Sequence, residues 1–127
     1  MNKNELLKIG WFNLARLESL KTDFRARVGA VAVRKGKVVS IGRNWPYKTH
    51  PMMKKYHEHK TIHAEADCAI GIDRELLSGA TIYVYRELRD GSLALAKPCE
   101  VCSMILKDLN IKRVFYTTPN GFKEYKL

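Results

Sequence analysis

The order of elements along the chain predicts an α/β fold in a single domain, residues 1–127. Two observations carry the prediction. Runs rich in valine, isoleucine and tyrosine alternate with segments of helical periodicity instead of being segregated from them. The length of 127 residues, with 46% hydrophobic and 28% charged side chains, suits one sheet with covering helices and a buried pocket.

Leu7, Trp11, Leu14 and Leu17 recur at helical spacing between residues 4 and 20, which predicts an amphipathic helix packed on a sheet. Lys3, Glu5, Lys8, Arg16 and Glu18 interrupt its apolar character, so neither a signal peptide nor a membrane span is expected. Val28 to Val33 and Val38 to Ile41, joined by Arg34-Lys35-Gly36-Lys37, read as a β-hairpin. Asn44 to Lys60, with Pro46 and Pro51, reads as a loop. Thr61 is the expected N-cap of an alanine-rich helix running through His63 to Ile70. Thr81 to Tyr85 is a third strand, and Arg86 to Lys97 a polar loop. Pro98 is expected at the first position of a second helix, since it lacks the N–H that would be unsatisfied there. Val114 to Thr118 is a fourth strand; Pro119-Asn120-Gly121 is a turn signal, after which Phe122 to Lys126 returns as a short antiparallel strand. No repeat or linker appears.

The chemistry is concentrated in His63-Ala64-Glu65 and Pro98-Cys99-Glu100-Val101-Cys102. Zn²⁺ favours thiolate and imidazole ligands in tetrahedral geometry, and catalytic sites leave one of four positions to water. His63, Cys99 and Cys102 supply three ligands and leave that position open. Glu65, two residues from a ligand and not one itself, is placed as a general acid and base. His63 and Glu65 fall in the first turn of their helix, and Cys99 and Cys102 share a face at i and i+3. Both helix starts then present partial positive charge to the thiolates. A lone Cys-x-x-Cys also suits a redox pair or half of a structural zinc site, but no second pair is present to complete four thiolates. Cys68 reads as a small buried hydrophobe.

The pattern H-x-E followed by P-C-x-x-C is the signature of zinc nucleobase deaminases. From Val28 to Thr118 the chain resembles the cytidine deaminase superfamily, and its one-histidine, two-cysteine set resembles the deoxycytidylate and tRNA adenosine deaminase branches. Val28 to Val33 resembles the family's first strand and Gly42-Arg43-Asn44 the end of its second. The antiparallel ending is more like the compact nucleoside deaminases. The resemblance implies a three-layer α/β/α sandwich around a mixed five-stranded sheet of order 2-1-3-4-5. It implies that Asn44 binds the substrate sugar and that the backbone amide of Ala64 helps hold the base. It also implies a homo-oligomer. His50 lies in a loop resembling the family's variable pocket loop and is a candidate substrate contact. His57 and His59 are read as loop or supporting histidines, because the lysines around them disfavour a second dication.

A net charge of +10 points to an anionic partner. Arg86, at the carboxyl end of a strand where α/β sheets place ligands, is the candidate phosphate contact. Three cysteines with no disulfide framework suit a reducing cytoplasm. The expected function is hydrolytic deamination of cytosine to uracil, with release of ammonia, in a free nucleotide or nucleoside. The alternative is editing of cytosine or adenine in single-stranded DNA or tRNA, although no long aromatic strip for base stacking is present. A non-catalytic zinc-stabilised module is the third reading, and the intact Glu65 argues against it.

Overall fold

The structure, a computed structural model, describes residues 1–22, 26–45 and 62–127. Strands β1 (Val28–Arg34) and β2 (Lys37–Arg43) form the expected hairpin. Lys35 at φ 52° and Gly36 at φ 73° occupy the left-handed region that a two-residue hairpin turn requires. β1 also pairs antiparallel with β3 (Thr81–Arg86), β3 parallel with β4 (Arg113–Thr118), and β4 antiparallel with β5 (Gly121–Lys126). The result is the mixed sheet of order 2-1-3-4-5.

Alternation along the strands divides the core between the two faces of the sheet. Ala30, Ala32, Ile82, Val84 and Val114 pack under helices α3 (Ala64–Ala69), α4 (Arg74–Leu77) and α5 (Glu100–Asp108). Val31, Val33, Tyr83 and Tyr85 face α1 (Lys3–Leu6) and α2 (Gly10–Ser19), giving the three-layer sandwich. On this second face Phe12 meets Tyr83 edge-on at 5.3 Å, and Tyr83 stacks with Phe115 at 5.2 Å.

Two glycines set how closely the layers approach. A Cβ on Gly29 would stand 2.0 Å from the Ala15 carbonyl oxygen in α2, and one on Gly42 would stand 2.4 Å from the Cys68 amide nitrogen in α3. Each helix backbone therefore rests directly on a strand, on opposite faces of the sheet.

The N-terminal helix differs from expectation. It is broken at Leu7 to Ile9, and Ile9 is extended as the N-cap of α2. The break changes the phase of the buried stripe: Leu6, Phe12 and Ala15 are fully buried, whereas Leu17 is 49% exposed. The close approach at Gly29 admits only a small side chain, and Ala15 supplies it. Pro98 lies two positions before the expected place, because Cys99 is the N-cap and α5 starts at Glu100. Strands β2 and β3 run on to Arg43 and Arg86, and α4 is an additional single turn capped by Asp73. The expected cap at Thr61 lies outside the described residues; His63 itself takes the N-cap position of α3. Cys68 is buried as expected, and burial pushes its thiol up to about 12. No helix among the described residues is long and apolar enough to cross a membrane.

Candidate active site

The parallel β3–β4 connection runs through α5, whose start then faces the start of α3. His63 is extended as the α3 N-cap, and its carbonyl accepts the Asp67 amide at 2.9 Å. Cys99 caps α5, its sulfur accepting the Cys102 amide at 3.4 Å. The His63 Nδ1 atom stands 3.2 Å from Cys102 Sγ and 3.5 Å from Cys99 Sγ, and all three donor atoms lie within 4.8 Å of one another. Tetrahedral zinc with Zn–S near 2.3 Å and Zn–N near 2.0 Å requires N···S separations of roughly 3.5 Å. The donor set fits Zn²⁺.

The surroundings favour metal binding. A hydrogen bond from the Cys102 thiol, reinforced by His63, outweighs burial and lowers the Cys99 thiol to about 4, so a thiolate is present at neutral pH. That hydrogen bond and burial push the Cys102 thiol up, so the pair holds one proton between them until a metal displaces it. Glu65, 5% exposed beside this set, has its carboxyl pushed up mainly by burial. A buried acid raised in this way can hold a proton and release it again.

Next to the ligands lies a cavity of about 240 Å³ bounded by His63, Ala64, Glu65, Asn44 and Arg86. Four of the expected site residues beyond the zinc ligands are thus gathered in one place. The Ala64 amide belongs to the first turn of α3, where N–H groups have no carbonyl partner within the helix. Asn44 Oδ1 accepts the Val28 amide at 2.9 Å and its Nδ2 donates to the Ala26 carbonyl, so this side chain also holds the cavity wall formed by Ala26 and Val28. Arg86 Nη1 donates to the Leu95 carbonyl at 3.5 Å, while its buried Nε has no hydrogen-bond partner among the described residues. His50 lies outside the described residues.

Sequence reasoning missed the opposite wall. The segment read as a polar loop is strapped to the sheet: Ala94 N donates to Arg86 O at 3.0 Å, Ala96 N to Thr117 O at 3.0 Å, and Thr117 Oγ1 to Ala94 O at 2.7 Å. Leu95, Ala96 and Lys97 consequently border the cavity. The only signal available was the apolar run Leu93-Ala94-Leu95-Ala96 within an otherwise polar stretch.

An imidazole, two thiols and an unligated buried carboxylate on facing helix starts define the class of zinc-dependent hydrolytic deaminases. The family model described as "Cytidine and deoxycytidylate deaminase zinc-binding region" matches residues 10–118. A deoxycytidylate deaminase of Mycobacterium phage D29 is 33% identical, over 72% of this chain and 78% of that protein. The chain therefore belongs to the cytidine and deoxycytidylate deaminase family and is an enzyme of that hydrolytic class. Similar folds include the dCMP deaminase of cyanophage S-TIM5 solved with dCMP and dUMP (TM-score 0.62, 19% identity, 91% of this chain and 82% of that one). Another is the cytidine deaminase of Burkholderia pseudomallei (TM-score 0.61, 19% identity, 99% and 93%).

Proposed function

We propose that the protein hydrolyses dCMP to dUMP and ammonia. The observation that carries the nucleotide over the nucleoside is Arg86 bordering the same cavity as Glu65. A phosphate oxygen at the cavity edge would take a charge-assisted hydrogen bond from the arginine's terminal nitrogens. The 33% identical deoxycytidylate deaminase and the fold shared with a protein solved with dCMP and dUMP support the same substrate.

His63, Cys99 and Cys102 would hold the zinc, which when bound would supply Lewis acidity to activate the attacking water. Glu65 then has two proton transfers to perform. It takes a proton from the attacking water and gives it to N3 as the C4–O bond forms. It next moves the new hydroxyl proton to the amino nitrogen, the C4–N bond breaks, and ammonia leaves a uracil carbonyl. The Ala64 amide orients the base. Asn44 retains one Nδ2–H and one Oδ1 lone pair beyond its bonds to Ala26 and Val28, and these serve the sugar hydroxyl. His50 is a further candidate substrate contact.

The test is a panel of deoxycytidine, cytidine, dCMP, CMP, adenosine and single-stranded oligonucleotides, assayed for ammonia. The dCMP kcat/KM should exceed that of deoxycytidine by at least about 10-fold, the scale of one charge-assisted hydrogen bond. Arg86→Ala should close that gap while sparing the nucleoside reaction. Equal rates on nucleoside and nucleotide would overturn the phosphate assignment. Turnover of oligonucleotides alone, falling steeply with salt, would overturn the free-nucleotide reading.

A further inference from the structure

Asp67 stands one helical turn beyond His63, on the side of α3 that faces the end of β2. One of its oxygens, Oδ2, accepts two hydrogen bonds: the Arg43 backbone N–H at 3.0 Å and the Trp45 indole Nε1–H at 3.1 Å. The two donors flank Asn44. Around them the Arg43 guanidinium stacks on the Trp45 ring at 4.3 Å and pairs with Glu18 at 3.7 Å. A backbone bridge between Trp45 and Ile62, with N···O distances of 2.9 and 3.2 Å, ties the same segment to the residue before His63. The residues on either side of Asn44 are thus attached to the metal-bearing segment by the bridge ahead of His63 and by Asp67 one turn after it.

We propose that Asp67 is a positioning residue that fixes the Asn44 wall of the substrate cavity relative to the helix carrying His63 and Glu65. Farther back along the strand, Ser40 Oγ donates to Cys68 O at 2.6 Å and Gly42 lies against the α3 backbone; without the Asp67 bonds the strand end beyond Gly42 can pivot about the Trp45–Ile62 bridge. Asn44 is rigid with respect to β1, since its backbone N–H bonds Val28 O at 3.3 Å and its carbonyl accepts from Thr22 Oγ1 at 3.0 Å. Pivoting would therefore move Asn44 and the Ala26–Val28 wall together, changing the width of the cavity. The Ser40–Cys68 bond and the Gly42 contact keep α3 seated on β2 without Asp67, so the zinc ligands stay in place and substrate affinity is what depends on Asp67. A single oxygen accepts both bonds, and an amide oxygen with two lone pairs can accept them in its place. The inference rests on the deaminase reading of the cavity.

The experiment compares Asp67→Ala, Asp67→Asn and Trp45→Phe as zinc-loaded proteins, using the best substrate of the panel above. Asp67→Ala should raise KM by about 10-fold or more, the scale of losing hydrogen bonds to a charged acceptor, with kcat within about 3-fold and zinc content unchanged. Asp67→Asn should keep KM within about 2-fold of the original. Trp45→Phe, which deletes one donor, should fall between them, and adding it to Asp67→Ala should cost less than the two effects summed. An Asp67→Ala protein losing zinc, or losing kcat in step with affinity, would overturn the positioning role. So would an Asp67→Asn protein as impaired as Asp67→Ala. If Asp67→Ala does not fold, Trp45→Phe decides, and an unchanged KM in that variant overturns the proposal. Absence of dCMP turnover by the unaltered enzyme sinks the substrate reading alone, because these comparisons run on whichever base-bearing substrate is turned over.

Discussion

Gly42→Ala should disable the metal centre, although the residue touches neither metal ligand nor substrate. The added Cβ would stand 2.4 Å from Cys68 N, and 2.7 Å from both Cys68 Cα and Ala64 O. All three atoms are backbone of α3, so no side-chain rotation relieves the contact. Restoring ordinary contact at 3.4 Å requires β2 and α3 to separate by about 1 Å. α3 carries His63 and Glu65, while Cys99 and Cys102 belong to α5; the shift moves one ligand away from the other two. Metal sites tolerate about 0.2 Å in ligand distances, and a 1 Å misplacement costs on the order of 10²-fold in rate. Overpacking of this kind typically costs about 1–3 kcal/mol, or roughly 3–6 °C in Tm per kcal/mol for a chain of this size. Gly29→Ala is the matched comparison. Its Cβ would stand 2.0 Å from Ala15 O, also backbone, but against α2 on the other face of the sheet. It should lower Tm at least as far while leaving zinc content and kcat/KM of the folded protein within about 3-fold. Calorimetry, elemental analysis and steady-state kinetics on both variants give the answer. A Gly42→Ala protein that melts lower yet keeps full zinc and full rate would refute the reasoning, as would equal zinc loss in Gly29→Ala.

Two further outcomes are expected. Glu65→Gln should retain fold and zinc but lose at least about 10²- to 10⁴-fold in kcat, because one carboxyl serves both proton transfers; near-normal turnover in this variant would remove Glu65 from the mechanism. A second test concerns acid stability through Glu87, which is buried and accepts from Arg16 Nε at 2.8 Å and Tyr85 OH at 2.9 Å, with Lys3 at 3.4 Å. Burial pushes its carboxyl up, but the hydrogen bonds from Tyr85 and Arg16 and the charge of Lys3 prevail and hold it below the ordinary range. A depressed value means that its stabilisation is present above the unfolded pKa, near 4.3, and is lost as pH falls through the folded one. Urea unfolding between about pH 6 and pH 3 should therefore show a shallower acid decline for Glu87→Gln than for the original protein; identical slopes would disprove the contribution.

What the sequence determined by itself was short-range. The zinc ligands were legible because tetrahedral coordination demands particular donor types, and Cys99 and Cys102 satisfy that demand within one helical turn. The hairpin at Lys35-Gly36 and the return strand after Pro119-Asn120 were legible because turn conformations restrict their residues locally. Tertiary structure alone decided how near the layers come and which residues meet across them. Leu17 fits the helical stripe as well as Ala15 does, yet the backbone contact at Gly29 leaves room only for the smaller side chain. Nothing local distinguishes Gly42 from an ordinary strand glycine, and nothing local ties the Leu95–Lys97 segment to Thr117 and brings it to the cavity beside Arg86. The physical division is one of range: ligand chemistry and backbone periodicity act over a few bonds, whereas cavity walls and close approaches depend on distances between elements set only when every layer packs.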